Sequence, residues 1–107
     1  MNKKDIFLDL ICMIELNPQY SQRDLSKEIG ASLGKINYCI KQLKDKGLVK
    51  ITNFKKNPKK IGYAYLVTPK GINEKTRLTF SFLQRKIKEY ELLKEEIKKL
   101  QTDARQI

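Results

Sequence analysis

Apolar side chains surround residues 4–16 almost completely: Ile6, Phe7, Leu8, Leu10, Ile11, Cys12, Met13, Ile14 and Leu16. A helix with no clean polar side is buried in more than one direction. In so small a protein, one side is expected to meet the core and another a partner, with Ile6 and Leu10 at the partner surface. Asn17-Pro18 ends the run. In "SQRDLSKEIG", Ser21 and Asp24 have capping-box spacing, Leu25 and Ile29 form a buried stripe, and Gly30 closes a short helix. Only Ala31 separates that helix from the next N-cap, Ser32, which is the tight spacing of a helix-turn-helix.

The third helix is predicted from about Leu33 to Lys46, ended by Gly47. At 100° per residue, Ile36, Cys39, Ile40 and Leu43 share one side, and Gly34, Asn37, Tyr38 and Lys41 the other. Two β-prone runs follow, "LVKITNF" and "GYAYLVT", the second alternating so that Tyr63, Tyr65 and Val67 share a face. Their connection, "KKNPKKI", makes a basic wing with Lys55, Lys56, Asn57, Lys59 and Lys60.

From Ile72 to about Gln101 the pattern is helical again, with an apolar stripe at Phe80, Leu83, Ile87, Tyr90, Leu93, Ile97 and Leu100. A helix of that length reaches roughly 45 Å, too long to bury its stripe on the preceding residues. A second copy, paired as in a coiled coil, is the simplest cover. The expected fold is therefore mainly α with a small β-hairpin. Residues 1–71 form a winged helix-turn-helix domain and 72–107 a long C-terminal dimerisation helix.

Charge sharpens this picture. Of 107 residues, 23 are basic and 12 acidic, a net charge of +11. Residues 1–34 are close to neutral, whereas residues 35–70 hold ten lysines against Asp45 alone. Concentrating charge in one third of a chain builds a surface for a polyanion. The helix starting at Ser32 fits this reading because its first turn accepts two local costs. Gly34 costs about 1 kcal/mol relative to alanine, and Lys35 opposes the helix dipole by roughly 0.3–1 kcal/mol. A phosphate at the helix start offsets the second, and a glycine lets the backbone approach closely.

A recognition helix enters the major groove by its N-terminal residues. Lys35 and Lys41 suit guanine or phosphate, Asn37 suits adenine, and Tyr38 suits phosphate or a thymine methyl. Ser21, Gln22, Arg23 and Ser32, at helix starts, are expected on the backbone, and the wing lysines on the backbone or the minor groove.

Other chemistries find little material. There is no histidine, so metal binding and acid–base or nucleophilic catalysis lack their usual groups, and no enzyme activity or cofactor is expected. "GASLGKI" lacks P-loop spacing, since three residues rather than four separate Gly30 and Gly34 and no Ser or Thr follows Lys35. Two cysteines make no disulfide framework, and Cys39, behind the reading face, fits core packing better than a redox switch. The longest apolar run, Ile6 to Leu16, contains Asp9 and Glu15 and is too short to cross a bilayer; a cytoplasmic, nucleoid-associated protein without membrane contact is expected.

The stretch "SQRDLSKEIGASLGKINYCIKQLKDKGLVKI", followed by "YLVTPKG", resembles the MarR family of winged-helix regulators. It is especially similar to the exopolysaccharide-associated subgroup, whose "SLGKxNYC", "DKGxVK", "LTPxG" and "LTxxFLxRKxxEYExLKxEI"-like patterns stand here as Ser32–Cys39, Asp45–Lys50, Val67–Gly71 (with Val67 in the leucine position) and Leu78–Ile97. The resemblance implies a bacterial homodimer that binds a palindromic double-stranded operator, often near surface-polysaccharide genes. Larger MarR relatives carry a second helix after the long one; none is expected here, and with it no evident small-molecule effector. The rival reading is a protein–protein adaptor, with the winged helix as scaffold and the long helix pairing with a different chain.

Overall fold

The computed structural model describes residues 3–53 and 63–106. Four helices and one hairpin follow in the order α1 (Lys3–Leu16), α2 (Gln22–Ile29), α3 (Leu33–Asp45), β1 (Val49–Asn53), β2 (Tyr63–Val67) and α4 (Pro69–Arg105). The strands pair antiparallel, with Val49 opposite Val67 and Ile51 opposite Tyr65. The expected wing residues Lys55, Lys56, Asn57, Lys59 and Lys60 lie outside the described residues.

Local chemistry sets the helix boundaries. Ser21 and Asp24 form a reciprocal capping box: Ser21 Oγ accepts from Asp24 N at 3.1 Å, and Asp24 Oδ2 accepts from Ser21 N at 2.9 Å. Gly30, at φ +79°, ends α2 in the left-handed conformation. At the end of α3, the N–H groups of Gly47 and Leu48 bond back to the carbonyls of Lys44 and Leu43, with Gly47 at φ +73°. This Schellman motif caps the helix and turns the chain into β1, with Leu43 and Leu48 both buried.

The core is built around α1. Ile6, Leu10, Ile11 and Ile14 are buried with Leu25 from α2, Ile36, Cys39, Ile40 and Leu43 from α3, Tyr65 from β2 and Leu78 from α4. The partner-facing role expected of Ile6 and Leu10 is therefore corrected: both are fully buried inside their own chain. The second side of α1 is covered by the first turns of α4, which run antiparallel to it. Glu15 pairs with Lys75 at 2.9 Å and Asp5 with Arg85 at 2.5 Å. An all-round apolar helix needed a second cover, and the chain itself supplies it.

This packing also moves the expected limits of the long helix. It starts at Pro69 rather than Ile72 and runs to Arg105, so a boundary at 71/72 falls inside its first turn. Thr68 is the N-cap: its Oγ1 accepts from Gly71 N at 3.0 Å and donates to the Gly47 carbonyl at 2.6 Å. Its own N–H donates to the Leu48 carbonyl at 3.0 Å. Beyond Arg85 every described residue of α4 is exposed, and the molecule is 70 Å long but only 26 by 21 Å across.

Gly71 is where these elements meet. A Cβ placed there would lie 2.1 Å from the Leu48 carbonyl oxygen and 2.7 Å from Val67 Cγ1, so no side chain fits without moving backbone. Gly71→Ala is expected to cost about 2–3 kcal/mol, against the helix-propensity gain alanine normally brings. Removing the cap with Thr68→Ala should cost about 1–2 kcal/mol. Urea denaturation of both variants checks this; a Gly71→Ala protein as stable as the parent would mean that α4 does not start against Leu48.

Candidate nucleic-acid interface

The helix pair α2–α3 presents its outer side as the sequence pattern predicts. Ile36, Cys39, Ile40 and Leu43 point inward, whereas Ser32, Gly34, Lys35, Asn37, Tyr38 and Lys41 are all exposed on α3 or at its start. Ser32 Oγ accepts from Lys35 N at 3.2 Å, so the cap is made even though the first turn holds no acidic residue. A Cβ at Gly34 would meet nothing within 4 Å. Among the described residues, none requires a glycine at that position.

Around α3, the residues at the start of α2 divide. Ser21 and Arg23 are exposed, but Gln22 is half-buried and its amide is engaged. Gln22 Oε1 accepts from Asn37 Nδ2 at 3.1 Å, and Gln22 Nε2 donates to Tyr65 Oη at 3.3 Å. Sequence reasoning placed Gln22 at the phosphate backbone; the fold turns its amide toward other side chains instead. Tyr38 is likewise supported from its own helix, its hydroxyl accepting from Gln42 Nε2 at 2.8 Å. Neither link involves charge or a motif. The Gln42–Tyr38 spacing of four residues was a readable hint on a helix, whereas Gln22 and Tyr65 stand 43 residues apart.

Other candidate chemistry recedes. Cys39 is packed in the core, and burial pushes the Cys12 thiol above its ordinary value, so it stays protonated near neutral pH. Among the described residues no cluster of His, Cys, Asp or Glu is arranged to hold a metal, and no helix is long and apolar enough to cross a membrane.

The stripe expected on α4 is exposed along its length: Phe80, Leu83, Ile87, Tyr90, Leu93, Ile97 and Leu100 remain 47–61% accessible, with Leu92 beside them. That is a large share of exposed apolar side chains for one helix.

Comparison with known proteins agrees with this geometry. Residues 5–50 match the family model described as winged helix-turn-helix DNA-binding. The fold is a winged helix-turn-helix with a long C-terminal helix. The HTH-type transcriptional regulators LrpA of Pyrococcus horikoshii and Pyrococcus abyssi are 32% and 33% identical over 72 residues, 67% of this chain and 50% of each relative. The chain thus spans about half the length of the curated relatives it matches. Several solved structures share the fold. One is a crystal structure of a MarR family transcription regulator, at TM-score 0.62 and 14% identity over 92% of this chain and 71% of the other. PcaV of Streptomyces coelicolor gives TM-score 0.62 at 15% identity, covering 95% and 79%. A mutant S. aureus MepR bound to an oligodeoxyribonucleotide gives 0.60 at 15%, covering 96% and 78%.

An unneeded glycine in a helix has a measurable signature. Gly34→Ala should raise the stability of the free chain by about 1 kcal/mol, because the methyl enters open space and the helix loses its most flexible residue. Thermal and urea unfolding check this; a destabilised variant would point to an internal role for Gly34.

Proposed function

We propose that the chain is a homodimeric, sequence-specific double-stranded DNA-binding transcription regulator. The outward face of α3 carries the reading: exposed Lys35, Asn37, Tyr38 and Lys41, over a first turn without acidic residues and with an open glycine. In this reading the N-terminal half of α3 enters the major groove, while Ser21, Arg23 and Ser32 face phosphates. The wing lysines Lys55, Lys56, Lys59 and Lys60, together with Asn57, lie along the backbone or minor groove. The cost of Gly34 in the free chain is offset by close approach of the helix to DNA.

Two copies pair through the exposed stripe from Phe80 to Leu100 and present two reading helices to a palindromic operator, with half-sites about 10 bp apart or a multiple of that. The protein works in the bacterial cytoplasm on the nucleoid. The resemblance of its "SLGKxNYC" start and its long-helix pattern to exopolysaccharide-associated regulators supports exopolysaccharide genes as targets.

Fragments bound from genomic DNA supply the operator for the test. Affinity should fall steeply with salt, and replacing Lys55, Lys56, Lys59 and Lys60 by glutamine should weaken all duplexes alike and flatten the log–log salt slope by about 3–4 for each protomer of the dimer. Unchanged affinity at low salt would remove the wing from the interface. Lys35→Ala should relax sequence preference, and Gly34→Ala should bind operator less tightly despite its greater stability.

Pairing is tested separately. Ile87 and Leu93 lie on the exposed stripe beyond the core, so Ile87→Asp with Leu93→Asp should leave the domain folded at 25 °C by circular dichroism, losing only the stability that association adds. Sedimentation should then show a monomer with operator binding reduced at least tenfold. A dimer persisting in this variant would place the interface elsewhere.

A further inference from the structure

Asn37 is held from behind. Its Nδ2 donates to Gln22 Oε1 at 3.1 Å, and Gln22 Nε2 donates to Tyr65 Oη at 3.3 Å. Tyr65 is buried, and its N–H is tied to the Pro18 carbonyl at 3.0 Å. A hydrogen-bonded relay therefore runs from the core, through the start of α2, to an exposed side chain in the first half of α3.

An unrestrained asparagine amide turns either its oxygen or its nitrogen toward a base, and fixing it on binding costs rotamer freedom. The relay removes that choice in advance. With one N–H given to Gln22, Asn37 keeps one N–H and its carbonyl oxygen, a donor beside an acceptor. In the major groove adenine offers the complement, an N7 acceptor beside an N6 donor. Guanine offers two acceptors, N7 and O6, and would set the Asn37 oxygen against O6.

We propose that Gln22 and Tyr65 are positioning residues that make Asn37 select adenine at one base pair of each half-site, although Tyr65 lies behind the reading face. The inference rests on the proposed reading of α3 as a DNA-recognition helix. It gives Gln22 a role in specificity rather than a phosphate contact. It also ties the reading helix to β2, so that a change in wing position reaches the base-reading side chain through hydrogen bonds.

The test uses the full chain with operator duplexes carrying each base at every position, for the parent and for Tyr65→Phe, Gln22→Ala and Gln22→Glu. The parent should prefer adenine about tenfold at one position per half-site. Tyr65→Phe keeps the buried ring, and Gln22→Ala removes the link. Both should cut that preference to about twofold, with preferences at other positions and the salt slope unchanged.

Gln22→Glu is the rescue. A carboxylate accepts from both Asn37 Nδ2 and the Tyr65 hydroxyl, so the preference should survive while the added negative charge weakens every duplex. A folded Tyr65→Phe protein with undiminished adenine preference would overturn the proposal, as would a Gln22→Glu protein as unselective as Gln22→Ala. The side-chain amide resonances of Asn37, recorded without DNA, separate the two levels of inference. They should shift in Tyr65→Phe, and unmoved resonances sink the relay whatever DNA does. Shifted resonances in a parent chain that binds all duplexes alike would instead overturn the DNA reading on which the proposal stands.

Discussion

The contact on which the architecture turns is made by an atom that is missing. Gly71 has no Cβ, so the first turn of α4 starts directly against the Leu48 carbonyl, where any side chain would be 2.1 Å from that oxygen. Thr68 closes the same corner through the Gly47 and Leu48 carbonyls while capping α4. The end of α3, the start of β1, the end of β2 and the start of α4 are thereby fixed within a few residues of one another. A rigid corner matters because α3 and α4 have different work in the proposed function: one meets DNA and the other meets a second copy. Their relative direction is fixed by backbone contacts, which tolerate less variation than side-chain packing.

From that corner α4 returns along α1, and two ion pairs spaced ten residues apart on each helix, Glu15–Lys75 and Asp5–Arg85, hold the antiparallel register. Partly exposed pairs of this kind are worth under about 1 kcal/mol each. The larger stabilisation comes from Leu78 and the apolar side of α1, with the charges selecting which helix turns face each other. The far half of α4 receives no such cover: beyond Arg85 every described residue is exposed.

The difference between what the sequence made legible and what it did not follows the range of the interactions. Caps at Ser21, Gly30 and Ser32 and the buried stripe of Ile36, Cys39, Ile40 and Leu43 were readable because each is decided within a few residues. The basic, hydrogen-bonding face of α3 was readable for the same reason. Ile6 and Leu10 were not: an all-round apolar helix states that two covers exist, without stating that the second is the chain's own α4. The start at Pro69 was available in Thr68-Pro69, an N-cap followed by a favoured first-turn residue, but the β-like alternation just before it obscured the boundary. The Gln22–Tyr65 link joins neutral side chains distant in sequence and leaves no periodic trace.

Seen together, these features separate the demands of folding from the demands of binding within a single helix. On its inner side α3 follows folding rules closely, with a made cap, a continuous apolar stripe and a Schellman end. On its outer side it departs from them in one turn, with a glycine above open space and a lysine against the helix dipole. The combined local cost is about 1–2 kcal/mol, a sizeable part of the margin by which a small domain stays folded. Ser32 keeps its cap, so this turn is not simply a frayed end. A cost confined to the outer face, next to a side chain held from the core by Tyr65 and Gln22, is the pattern expected when the missing stabilisation comes from outside the chain. In the proposed function a bound polyanion supplies it in both respects at once, through charge at Lys35 and through close approach at Gly34.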